Sequence, residues 1–346
     1  MKLPILSTCL LAIAALPAIA EDLQETKLNV VGSWGMVSMY TDFTQPFFTS
    51  TLPEVSGGAI TAEIRPFNEL GMDGSEIIRL VEQGTLQFAE TPMGYLIGDN
   101  ALNGGNDLPG LAPDIETARL ISDAWQPVMA KEYRDRYNIE LLAVYPYSAQ
   151  VVYCRDEMNG LSDLSERKIR ASGSAIGDFV EALGGTPVSM SFGEVVQGLQ
   201  TGVIDCAITG SMSGFNARWN EVATHIYELP IAWSPVVLVV NGELWDGLDV
   251  KVRDFLSEQF VTFQDSVWEG AGLETAEGFA CNAGELSCTR ENPGSMKRVP
   301  VSEADIALRD KILRDVVLAN WGKQCGADCV KTWNETVGLA TGTAIE

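Results

Sequence analysis

Residues 59–92, AITAEIRPFNELGMDGSEIIRLVEQGTLQFAETP, decide the fold. Ala59 to Arg65 is a short strand closed by Pro66, which has no N–H to give to a sheet ladder. Glu76 to Gln83 (EIIRLVEQ) sets its apolar residues at helical spacing and stops at Gly84. Leu86 to Ala89 is another short strand, broken by Glu90-Thr91-Pro92. Working outward, residues 27–33 (KLNVVGS) read as an earlier buried strand. Phe43, Phe47, Phe48 and Leu52 mark one face of a helix between Tyr40 and Leu52. Strand, helix, strand, helix in this rhythm predicts a parallel sheet with flanking helices. Ligands of such sheets sit beyond the carboxyl ends of the strands, which points to Ser33-Trp34 and Glu90-Thr91.

The pattern then restarts. Leu141 to Cys154 is strand-like, and Lys168 to Ala171 is a short strand opening into Ser172-Gly173-Ser174. Ala175 to Leu183 is a helix ended by Gly184-Gly185, and Phe192 to Leu199 is a second. Gly202 to Ile208 is the next strand. Ser234 to Asn241 (SPVVLVVN) is a long apolar strand that runs back into the first sheet. Val250 to Glu269 reads as one long helix, apolar at Val252, Phe255, Leu256, Phe260, Phe263 and Val267. Two sheets joined by crossing strands predict an α/β fold of two hinged lobes with a cleft between them.

Composition narrows the functions open to such a fold. The chain has 346 residues, 46% of them hydrophobic, enough for one large or two medium domains. Its 47 acids against 23 bases give a net charge of −24. That charge opposes a large nucleic-acid interface and docking on anionic lipid. A single histidine, His225, removes the parts for most histidine-dependent metal sites, and a structural role is expected for it. No phosphate loop, dinucleotide fingerprint, zinc-protease motif or nucleophile elbow occurs, and nothing singles out a pair of carboxylates. No cofactor and no metal are expected.

The first twenty residues read as an export signal: Lys2, an apolar run from Leu10 to Leu16, and the small-residue pattern Ala18-Ile19-Ala20. Cleavage is expected after Ala20. An acylated Cys9 is the weaker alternative, because Leu6-Ser7-Thr8-Cys9 precedes most of the apolar run. Removal of the signal leaves 47 acids against 22 bases, a net charge of −25. Cys154, Cys206, Cys281, Cys288, Cys325 and Cys329 remain. In an exported chain an even count with no C-x-x-C favours disulfides over zinc. Local spacing favours Cys281–Cys288 and Cys325–Cys329, while Cys154 and Cys206 are either buried thiols or a third bridge.

Four segments in sequence then carry a resemblance: Gly57-Gly58 with Asn68-Glu69-Leu70-Gly71, Leu161 to Arg170 (LSDLSERKIR), Leu183 to Val188 (LGGTPV), and Glu194 through Gln200 to Asp205 (QTGVID). Over residues 27–270 the chain resembles the solute-binding proteins of tripartite ATP-independent periplasmic (TRAP) transporters. The resemblance implies a two-lobe periplasmic binding protein fold, with a ligand cleft between the lobes and a long bridging helix. Residues 21–147 with 236–275 would form the first lobe. Residues 148–235 with 276–346 would form the second, including a cysteine-containing tail that lies outside the resemblance. It further implies a monomeric periplasmic receptor that captures a small carboxylate and delivers it to sodium-coupled membrane transporter subunits.

Site residues follow from the same resemblance. Arg170 falls on the family's carboxylate-pairing arginine, and a planar guanidinium suits a bidentate clamp that lysine cannot copy. Its alternative is a structural ion pair. Glu90 matches a polar ligand contact, or else is an exposed acid. Phe192 matches an aromatic that packs on the ligand, with core packing as the alternative. Thr209 falls where many members have asparagine. Trp34 and Trp233 flank the expected cleft, either as ligand walls or as core. Gln150 lies where dicarboxylate and acid-sugar binders carry a second arginine, which favours a monocarboxylate with an apolar or aromatic body. An exported enzyme and a sensory receptor are the competing functions on this scaffold.

Overall fold

The computed structural model describes residues 23–346, and the expected export signal lies outside them. The first sheet contains β1 (Thr26–Gly32), β2 (Ile60–Pro66), β3 (Phe88–Pro92), β4 (Ile139–Tyr145) and β10 (Val236–Asn241), in the order β2-β1-β3-β10-β4. The second contains β5 (Gln150–Cys154), β6 (Lys168–Ala171), β7 (Thr186–Ser189), β8 (Cys206–Gly210), β9 (His225–Ala232) and β11 (Lys297–Val299), in the order β11-β9-β5-β8-β6-β7. β1 runs parallel to β2 and β3, as the sequence rhythm predicts. β10 is antiparallel to β3 and β4, so the expected parallel sheet is mixed. The cause is topological: β10 arrives from the second sheet and enters the first in reverse.

The strand-like stretch 141–154 divides into β4 and β5, which belong to different sheets. Pro146 stands between them and has no N–H for either ladder. The chain crosses there from the first sheet to the second, and returns through Trp233-Ser234-Pro235 between β9 and β10. The two crossings touch, since Tyr147 N donates to Trp233 O at 3.2 Å. The third connection is the helix Val250–Ala283, which was expected to end at Glu269. It starts on Asp249, whose carboxylate accepts from Lys251 N and Val252 N, and ends on left-handed Gly284. The glycine at 270 does not stop it. A Cβ there would lie 2.2 Å from the Phe43 ring, so the missing side chain is what admits that ring to the helix.

Between Tyr40 and Leu52 the expected helix is present as wide π-type turns over Met39–Thr44 and Phe47–Thr51. Phe47, Phe48 and Leu52 are buried. All three cysteine pairs are bridged: Cys281–Cys288, Cys325–Cys329 and Cys154–Cys206. Cys154 and Cys206 are directly opposed in the β5–β8 ladder, which settles the open alternative in favour of a bridge. The chain beyond the long helix packs on both layers. Asp305 accepts from Leu161 N at 3.1 Å and from Tyr227 OH at 2.7 Å on the second-sheet side. Trp321 and Trp333 donate to Ala101 O and Gly105 O beside the first sheet.

Candidate ligand-binding site

β6 lies between β7 and β8 and carries Arg170, which is 2% exposed. Its Nε donates to Met190 O at 3.1 Å and one Nη to Ile208 O at 2.9 Å. These bonds hold the guanidinium plane while leaving further N–H groups unspent. Among the described residues no carboxylate comes within ion-pair distance of it. The structural ion pair is therefore absent. Burial pulls the guanidinium below its ordinary pKa, and nearby Tyr95 partly offsets this. A desolvated cation without a counter-ion is costly, and an anion entering the cavity would relieve that cost.

The cavity it faces lies between the two sheets and is partly open to solvent. Trp34 and Tyr95 line it from the first-sheet side, and Gln150, Phe192, Thr209 and Ser213 from the second. Tyr147 and Ser234 come from the two crossings. Trp34 Nε1 donates to Tyr95 OH at 3.2 Å, and the Trp34 and Phe192 rings meet across the cleft with centroids 5.4 Å apart. The Arg170 guanidinium lies 6.0 Å from the Phe192 ring centroid. Aromatic faces and hydroxyls thus surround one positive group. Among the described residues lining the cavity, Arg170 alone is charged.

Of the residues expected at the site, Trp34, Gln150, Arg170, Phe192 and Thr209 line this cavity, whereas Glu90 and Trp233 do not. Glu90 is fully buried beneath it, accepting from Ser33 N at 3.0 Å and from the Tyr145 hydroxyl. Ser33 Oγ in turn meets the Tyr147 hydroxyl, so Glu90 supports a lining residue from behind. Trp233 is turned away, its Nε1 donating to Ala112 O at 3.2 Å. His225 stands at the start of β9, outside the lining, with Nδ1 beside Thr224 Oγ1. Tyr95, Tyr147, Ser172, Ser213 and Ser234 line the cavity and were not anticipated. The strand-end rule pointed to residues 90–91, but β3 delivers its contact a few residues later, on the turn that carries Tyr95.

Burial raises the Glu90 carboxyl from 4.5 to about 7, against the lowering effect of its hydrogen bonds. The folded protein therefore holds a proton that the unfolded chain releases between those values. The contribution is most favourable at low pH and is lost as pH rises from about 4.5 through 7, a swing of roughly 3 kcal/mol. Glu90→Gln is expected to flatten the fall in melting temperature over that window. Glu274 and Asp107, raised to about 7 and about 6, account for slope that remains. Thermal melts from pH 4.5 to 8 test this; an unchanged slope in the variant assigns the effect elsewhere.

Two α/β lobes thus meet at a cavity holding one buried cation that no acid among the described residues pairs. A model of the family described as bacterial extracellular solute-binding protein, family 7, matches residues 35–274. The chain belongs to that family, the solute-binding proteins of TRAP transporters. It is 26% identical over 243 residues to the ectoine-binding periplasmic protein TeaA of Halomonas elongata, covering 67% of this chain and 70% of that one. It is 25% identical to the C4-dicarboxylate-binding periplasmic protein DctP of Rhodobacter capsulatus, covering 63% and 66%. A Bordetella pertussis extracytoplasmic solute receptor binding pyroglutamic acid shares the fold, with a TM-score of 0.79 at 20% identity over 90% of this chain and 98% of that one. So does a marine metagenome TRAP solute binding protein specific for pyroglutamate, at 0.77 and 22% over 90% and 99%. Among the described residues no helix is long and apolar enough to cross a membrane.

Proposed function

We propose that this receptor captures a small monocarboxylate with a flat, apolar or aromatic body and delivers it to sodium-coupled TRAP membrane subunits. The observation that carries the reading is Arg170, buried and held by two carbonyls, with no acid partner and no second charge in its cavity among the described residues. One guanidinium matches one carboxylate. A second carboxylate beside neutral Gln150 would keep much of its desolvation cost. Trp34, Tyr95 and Phe192 supply flat walls that suit a ring better than a polyol. The solved relatives named for pyroglutamate support a small ring acid, whereas the relative named for C4-dicarboxylates supports the alternative.

The same reading includes export to the periplasm with cleavage after Ala20, action as a monomer, and the lobe division 21–147 with 236–275 and 148–235 with 276–346, the tail of the second also reaching the first through Trp321 and Trp333. Calorimetry on the mature protein, with ring and branched monocarboxylates against succinate and galacturonate, tests the ligand class. Monocarboxylates are expected to bind more tightly. A dicarboxylate or acid sugar that binds a hundredfold more tightly than any monocarboxylate overturns the selectivity and leaves the receptor standing.

A further inference from the structure

A second, smaller recess adjoins the Arg170 cavity and shares Gly94, Gln150, Ser172 and Ser234 with it. Asp107 lines it, with Asn103, Ile97 and Ile176, and no Lys, Arg or His does. Asp107 is firmly placed. Oδ1 accepts from Trp233 N at 2.8 Å and Oδ2 from Ser234 N at 2.7 Å. Those two donors sit on the crossing between β9 and β10, where Ser234 has a left-handed φ of 47°.

The carboxylate has further capacity, because each oxygen accepts one N–H here and offers a second lone-pair direction. Among the described residues no cation pairs with it. Asp107 also remains partly exposed in a region where its neighbours Asn106 and Leu108 are buried. Burial raises its carboxyl to about 6, so at neutral pH the group is charged and poorly solvated.

We propose that the ligand carries, opposite its carboxylate, a nitrogen donor, either an N–H group or a cationic amine, which Asp107 receives in this second recess. The proposal rests on the monocarboxylate reading and extends it. The combined cavity is positive at the Arg170 end and negative at the Asp107 end, with aromatic and aliphatic side chains, hydroxyls and the Gln150 and Asn103 amides between and around them. A dipolar ligand would give both charges a partner at once, whereas a plain monocarboxylate leaves Asp107 without a counter-group. The backbone bonds to Trp233 and Ser234 fix the direction of the acceptor and reduce the ordering cost of the contact.

Isosteric ligand pairs test this. Calorimetry with 4-aminobenzoate against 4-methylbenzoate, and 4-(aminomethyl)benzoate against 4-ethylbenzoate, is expected to favour the nitrogen member of at least one pair by tenfold or more. In Asp107→Asn that ratio is expected to fall towards one. The ratio is the readout because both members of a pair meet the same altered turn, so a merely structural role for Asp107 would leave it unmoved. Equal affinities within both pairs, a ratio that survives the substitution, or binding of compact monocarboxylates but of none of these four overturns the proposal while the monocarboxylate reading stands. Failure of every monocarboxylate to bind overturns that reading itself.

Discussion

Arg170→Ala is expected to weaken carboxylate binding by about 2–5 kcal/mol, or roughly 30-fold to several thousand-fold. The size follows from where the guanidinium sits. It is 2% exposed and no acid among the described residues pairs with it, so on the proposed reading an incoming carboxylate would be its compensating charge. Removing it leaves that carboxylate desolvated beside aromatic rings, a cost added to the lost charge-assisted bonds. Met190 O and Ile208 O also lose their donors, so the melting temperature must be followed alongside affinity. Arg170→Lys separates the two effects. An ammonium restores a point charge, but it cannot serve two carbonyls and a bidentate ligand in one plane. Partial recovery by Lys is expected. Normal binding by a folded Arg170→Ala protein would mean that the ligand does not engage this lobe through β6.

The sequence makes Arg170 legible through the resemblance and Glu90 misleading through the burial of a whole strand. Arg170 closes LSDLSERKIR, one of the four family-like segments, and it was the resemblance that singled it out among Arg167, Lys168 and Arg170. β3 is buried at every position, and alternation therefore cannot say which face Glu90 takes. Its partners Ser33 and Tyr145 lie 57 and 55 positions away, just past the end of β1 and at the end of β4, brought together only by the sheet order. Trp233 fails similarly, since its N–H finds Ala112 O at a separation of 121 residues. The crossings themselves were half visible. The apolar run at 234–241 announced a return to the first sheet, whereas the break at Pro146 was hidden inside a stretch that is apolar on both sides. Tyr147 and Ser234, which those breaks place in the cavity, carry no local signal of their own.

Gly173→Val is expected to leave the open protein folded and to weaken ligand binding by about 1–3 kcal/mol, the usual cost of overpacking, or roughly 5- to 150-fold. Gly173 follows β6 on the second-sheet side, and Gly94 follows β3 on the first. A Cβ at 173 would stand 2.8 Å from Gly94 O and 3.5 Å from Gly94 C. The obstacle is backbone, not a flexible side-chain tip, so relief requires the lobes to part. The residue's own φ of −172° is extended and open to any side chain, which removes backbone strain as a cause. The penalty thus falls on the closed arrangement alone. A ligand that touches Trp34 and Tyr95 on one side and Arg170 on the other gains contacts only when the lobes meet, and it must then overcome that penalty. Gly173→Ala, with one added carbon instead of three, should weaken binding less. Scattering profiles give the second readout: ligand should compact the parent protein and compact the valine variant less at equal saturation. Parent-like affinity together with full compaction in Gly173→Val would show that the lobes do not close on the Gly94–Gly173 contact.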